Sequence, residues 1–311
     1  MNMDQDRERR LAYVARRYYL DEQKQSDIAR ELGISRPLVS RLLSDARRLG
    51  VVQITVRDPA DRSAGLLERL RRSTSIRDGV LVEDGGDDDA TNQALSQGAV
   101  ALLHRLGARR LGVGWGYLIG QLVTWLEENP QPDSSISDIC PLVGNANIPA
   151  RNYQSNENVR LMAQQLGARP HFLYLPALPE GLEEKQLLCS TEVYRQICSQ
   201  WAQLDTALVN IGDYPSSPDF ASLVRYGGLL QRQHACGRML VYYFNEAGTV
   251  IQSEQDFAIQ IPIDQLKRCP NIIGVCSANT SAKALRGALR SGFFTHLVAR
   301  AGLVKSLRAD M

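Results

Sequence analysis

Along the first fifty residues apolar positions recur every three to four places. In the stretch QSDIARELGISRPLVSRLLSDA (25–46), Ile28, Ala29 and Leu32 fall on one face of a helix, and Val39, Leu42 and Leu43 on one face of a second. Gly33 stands between the two, where a left-handed backbone costs glycine least, and Ile34 follows it into the angle between the helices. Ala29 is small enough for a close crossing. Ser35 is a good N-cap, and Pro37 lies in the first turn, where no N–H is needed. Upstream, RRLAYVARRYYLD predicts a supporting helix with Leu11, Val14, Ala15 and Tyr18 turned toward the pair. Downstream, GVVQITVRD (50–58) predicts a short strand.

Beyond residue 58 the pattern changes. PADRSAGLLERLRRSTSIRD (59–78) predicts a connector helix with Leu66, Leu67 and Leu70 as an apolar stripe among charges. From residue 79 onward short apolar runs alternate with longer amphipathic ones. GVLVE (79–83), LGVGW (111–115), ICPLVG (139–144), TALVNIG (206–212), MLVYYF (239–244) and IIGVC (272–276) read as strands, with helical stretches such as 91–106, 117–128, 156–167 and 280–291 between many of them. Such alternation predicts an α/β domain with a mostly parallel sheet covered by helices on both faces. The expected organisation is therefore a helix-turn-helix domain over 1–58, a linker helix over 59–78 and a larger domain over 79–311. The connector stripe and the large domain are expected to hold protomers together.

The helix-turn-helix pattern gives the polar positions of the second helix a purpose. Ser35, Arg36, Ser40, Arg41 and Ser44 lie opposite its apolar contacts, on the face that would enter a DNA major groove. An arginine can bond guanine O6 and N7, and a serine can bond phosphates or base edges. Arg36 and Arg41 are the candidates for base contact, with either able to take the phosphate instead. Arg47, Arg48 and Arg57 could neutralise backbone phosphates. Charge agrees weakly: residues 1–58 hold twelve basic and nine acidic side chains, against a formal net charge of +2 for all 311 residues. At 44% apolar and 23% charged residues the composition is that of a folded globular chain. The six cysteines form no CxxC pair, the start MNMDQDRERR has no apolar core, and no stretch of about eighteen apolar residues occurs, so a cytoplasmic protein with reduced thiols and no membrane span is expected. The acidic run DGGDDD (84–89) reads as a solvated loop.

Candidate binding residues follow the predicted strands. Gly114, Trp115 and Gly116 end one strand ahead of a helix, a place where a ligand can approach the backbone and a helix N-terminus favours an anion. Gly144 and Asn145 form a second such loop, with Gln154 ahead of the next helix. Asn245 ends another strand. Asn279, Ser281 and Lys283 lead into a helix after IIGVC, where the lysine can reach an anion. These segments are expected to line one crevice. His104, His171, His234 and His296 are scattered, with no acid–histidine motif around them, so no catalytic residues and no cofactor or metal are expected.

The stretches YYLDEQKQSDIARELGISRPLVSRLL, LGVGWG, PLVGN, DTALVNIG, GRMLVYYFNEAG and ANTSAKALRGALRSGFFTHLV, in this order, resemble the SorC family of bacterial transcriptional regulators, the sorbitol-operon and deoxyribonucleoside-regulator type. The resemblance implies a sugar-binding domain similar in fold to ribose-5-phosphate isomerase and glucosamine-6-phosphate deaminase. It implies a homo-oligomer, dimer or tetramer, that binds double-stranded operator DNA with an affinity set by a sugar phosphate or similar anion. Four positions depart from the family pattern: Asn145 for glycine, Asn245 for aspartate, Ala278-Asn279 for Gly-Gly, and Arg300 for an acidic residue. The alternatives are a DNA-binding oligomer with a degenerate pocket, and a sugar-phosphate isomerase or deaminase.

Overall fold

The computed structural model describes residues 3–52 and 62–307. They divide into two compact units, Met1–Asp61 and Arg62–Met311.

The first unit contains α1 (Met3–Tyr19), α2 (Gln25–Leu32) and α3 (Arg36–Arg48). Leu11, Val14 and Ala15 of α1 meet Ile28 and Ala29 of α2 and Val39, Leu43 and Ala46 of α3 in one small core. Gly33 closes α2 in the left-handed conformation (φ 62°, ψ 30°), and the Ile34 N–H then bonds the Ala29 carbonyl at 2.9 Å. Ser35 caps α3, its hydroxyl accepting from the Leu38 N–H at 3.4 Å. Tyr13 and Arg17 of α1 both bond the Glu31 carboxylate of α2, at 2.6 and 2.9 Å. The Tyr13 bond and the nearby guanidinium hold that carboxyl below its ordinary range. Of the strand expected over 50–58, Gly50–Val52 form a turn after α3, and the rest, Arg57 included, lies outside the described residues.

The second unit runs α4 (Arg62–Ser73), β1 (Asp78–Val82), α5 (Asp88–Leu106), β2 (Arg110–Val113), α6 (Tyr117–Glu128), β3 (Asp138–Pro141), α7 (Ser155–Leu166), β4 (Arg169–Pro170), α8 (Leu182–Cys189), α9 (Glu192–Trp201), β5 (Thr206–Asp213), α10 (Ser222–Tyr226) and α11 (Leu229–Arg232). It continues with β6 (Ala235–Met239), β7 (Tyr242–Asn245), β8 (Val250–Ile251), α12 (Ile263–Lys267), β9 (Asn271–Cys276), α13 (Ala282–Arg290), β10 (His296–Arg300) and α14 (Ala301–Ser306). Among the described residues the main sheet has the order β1-β10-β9-β5-β2-β3-β4, all parallel. β6, β7 and β8 extend it as an antiparallel ribbon from the carboxyl end of β5. Side chains alternate across the sheet. Ala207, Val209 and Ile211 of β5 enter one core with Leu297 and Ala299, and Leu208 enters the other with Ile273, Val275 and Val298.

The connector behaves differently from the expectation. α4 is part of the second unit, and its Leu66 and Leu70 are buried in that unit's own core beside β1 and α14. Leu66 and Leu70 are thus spent within the chain, and Leu67 lies half-buried against the same core.

Candidate functional site

On α3 the polar face stands open. Ser35, Arg36, Ser40, Arg41, Ser44, Arg47 and Arg48 are all exposed. Arg36, Pro37 and Ser40 with Gln25 of α2 line a shallow groove of about 240 Å³. Arg48 donates to Asp45 one turn back at 2.8 Å, whereas Arg36, Arg41 and Arg47 have no ion-pair partner among the described residues.

In the second unit the order in which strands are added to the sheet reverses between β2 and β5. From β2 the sheet grows through β3 to β4, and then β5 returns to the other side of β2 and growth continues through β9 and β10. An open α/β sheet binds ligands in the crevice at such a reversal, outside the carboxyl ends of its strands. Gly114 and Gly116 lie there. The Gly114 N–H donates to Leu208 at 2.8 Å, and a Cβ on Gly116 would come within 3.2 Å of the Asn210 carboxamide. Trp115 between them turns inward. It is 3% exposed, stacks on Phe220 and donates to the Leu240 carbonyl, so it is a core residue and not a ligand contact.

The second loop is also structural. A Cβ on Gly144 would sit 2.6 Å from the backbone of residues 175–177, so this glycine admits another strand of the chain and leaves no room for a ligand. The Asn145 Oδ1 accepts from the Asn156 N–H at 3.1 Å, and the Gln154 Nε2 donates to the carbonyls of Ala146 and Ile148 at 3.0 and 2.6 Å. Polar side chains in this loop fold the loop itself.

At the start of α13, Ser281 is the N-cap and accepts from the Ala284 N–H at 3.2 Å. Its own N–H already serves the Asp213 carboxylate at 3.2 and 3.3 Å. The negative charge expected at this helix end is thus supplied by the protein, one residue beyond the TALVNIG run. Asn279 is exposed, and Ala278 is buried with its N–H on Asn92 at 2.8 Å. Arg300 at the end of β10 pairs with Asp84 at 2.8 Å, and Asp87 of the acidic run caps α5.

Of the residues expected to bind an effector, Asn245 and Lys283 share a cavity. It measures about 680 Å³ and is lined also by Tyr214, Leu230, His234, Cys236 and Glu246. Lys283 is exposed into it and has no ion-pair partner among the described residues, while Glu246 is paired with Arg286. Asn245 is held from both ends: its Nδ2 donates to the Gln233 carbonyl at 3.3 Å and its Oδ1 accepts from the Thr249 N–H at 3.0 Å. An aspartate here would turn an oxygen toward the Gln233 carbonyl. Burial, with Glu246 and Asp213 nearby, pushes the Cys236 thiol up to about 11, so it stays protonated at neutral pH. His234, Cys236 and Glu246 carried no motif in the sequence, because they meet Lys283 only through the antiparallel ribbon.

Comparison with known proteins bears on both units. Residues 58–307 match the family model described as "Putative sugar-binding domain". The chain is 27% identical to the sorbitol operon regulator of Klebsiella pneumoniae over 304 residues, covering 93% of this chain and 94% of that one. It is 26% identical to the deoxyribonucleoside regulator of Bacillus subtilis (strain 168), covering 99% and 100%. The crystal structure of the full-length sorbitol operon regulator SorC from Klebsiella pneumoniae superposes with a TM-score of 0.81 at 26% identity, over 96% of this chain and 98% of that one.

Proposed function

Because the chain belongs to the SorC family of transcriptional regulators and carries its sugar-binding domain over residues 58–307, we propose that it is a sequence-specific DNA-binding regulator whose operator affinity is set by an anionic metabolite, a phosphorylated sugar or a close relative. DNA contact is assigned to the helix-turn-helix face of Ser35, Arg36, Ser40, Arg41, Ser44 and Arg47, with Arg48 at its margin. One recognition helix offers few base contacts, so half-sites are paired by a dimer or tetramer.

The observation that carries the effector reading is Lys283. It places an ammonium group, without an ion-pair partner among the described residues, in a cavity large enough for a sugar phosphate. The effector is expected to lie between Lys283 and the ribbon end at Asn245, and not at Gly144 or Gln154. A ligand shifts DNA affinity only if it binds two states of the protein unequally. The test is operator affinity of Lys283→Ala with and without saturating sugar phosphates. The variant should bind operator as the wild type does and lose the effector response. A full response would remove Lys283 from the site. Turnover of a sugar phosphate by the purified protein would favour the isomerase or deaminase alternative.

A further inference from the structure

A second cavity of about 330 Å³ lies in the same unit and shares no lining residue with the Lys283 cavity. Tyr194 of α9, Tyr226 of α10 and Tyr242 of β7 give it aromatic walls, and Lys185 of α8, Gln260 and Asp264 of α12 give it polar ones.

Its floor is electrically closed. The guanidinium of Arg225, fully buried, bonds the Asp256 Oδ1 at 2.8 Å and the carbonyls of Phe220 and Val241. The Tyr226 hydroxyl donates to the other Asp256 oxygen at 3.0 Å. That carboxylate is therefore neutralised in place. The walls are different. Lys185 donates to the Asp256 backbone carbonyl at 2.7 Å and has no carboxylate partner among the described residues, so its remaining N–H groups are unspent. Asp264 stands exposed at the rim with no partner among the described residues. Burial raises the hydroxyls of Tyr194, Tyr226 and Tyr242 well above the ordinary tyrosine range, which keeps them as O–H groups.

We propose that this cavity binds a neutral polyhydroxylated molecule of monosaccharide or alditol size. The tyrosine rings can cover its C–H faces. Lys185 can donate to its hydroxyl oxygens and Asp264 can accept from its hydroxyl protons. A phosphorylated form fits worse, because a phosphate would bring up to two negative charges beside the unpaired Asp264 with a single ammonium, that of Lys185, to meet them. The volume sits at the lower end of ligand cavities, which suits one sugar unit.

The test is calorimetric titration of the full chain with unphosphorylated pentoses, hexoses and hexitols and with their phosphates. At least one neutral compound should bind, with affinity lowered about tenfold or more by Lys185→Gln and by Asp264→Asn, the loss expected for a hydrogen bond to a charged group. Lys283→Ala should leave that affinity unchanged. Thermal melting checks that each variant is folded. If Lys185→Gln does not fold, the exposed Asp264→Asn decides alone. No binding of any neutral compound at millimolar concentration overturns the proposal. So does tighter binding of a phosphate at this site, or neutral-compound binding that needs Lys283 and is indifferent to Asp264.

Discussion

Arg41 is the residue on which DNA recognition is best tested. It is exposed, without an ion-pair partner among the described residues, and on the open face of α3. Arg41→Ala is expected to weaken operator binding by about 1–3 kcal/mol and to relax sequence preference, as loss of a bidentate guanine contact does. Competition binding against mutated operators measures both, and wild-type affinity in the variant would exclude Arg41 as a base contact. A different single residue sets part of the pH response. His296 is buried with its Nδ1 on the Thr295 hydroxyl at 2.8 Å, and burial lowers its pKa below the ordinary histidine value. Above about pH 6.5 the ring is neutral in both folded and unfolded chains and contributes nothing to pH dependence. As the pH falls below that, the unfolded chain takes up a proton that the folded chain resists, so stability drops until the folded value is passed. The urea midpoint should therefore fall from about pH 7 to about pH 5, and less steeply in His296→Asn. An equal slope in the variant would assign the effect elsewhere. At this scale the sequence was a mixed guide. The α3 face was legible because cap, glycine and apolar spacing agree locally. The burial of Trp115 and the bonding of Asn145 and Gln154 within their own loop were not legible, because whether a polar group faces solvent or its own loop depends on residues elsewhere in the chain.

The connector helix shows the same limit for whole elements. Its stripe of Leu66 and Leu70 was visible, and its partner was not: β1 and α14 stand at opposite ends of the second unit's sequence. An apolar stripe states that something covers it, without saying what. Leu70 is fully buried, so Leu70→Ala is expected to cost about 2–5 kcal/mol of stability. Sedimentation below the melting transition should show the assembly of the variant unchanged from the wild type. Dissociation of a folded variant would return the stripe to a subunit contact. The strands were more readable. Five-residue apolar runs ended by Gly, Pro or Asn marked β1, β2, β3, β5 and β9 to within a few residues, because strands buried on both faces show near-continuous apolar sequence. The antiparallel pairing of β6 to β8 was not foreseen, since MLVYYF (239–244) read as one strand, whereas β6 ends at Met239 and β7 begins at Tyr242 across a turn.

For the molecule as a whole, the parallel sheet and the cavity proposed for the effector are built largely from different stretches of chain. Every residue lining the cavity except Lys283 lies within 214–247, the ribbon and the short helices beside it. The two cores draw mostly on the sheet and the helices covering its faces. The same stretch also feeds the core through Phe220, Met239, Leu240, Val241 and Phe244, so signal and scaffold are divided within it by which way each side chain faces. Substitutions confined to the cavity-facing side chains would give the site a new chemical vocabulary and leave the architecture intact. Asn245, held at the end of the ribbon between the Gln233 carbonyl and the Thr249 N–H, is one such position.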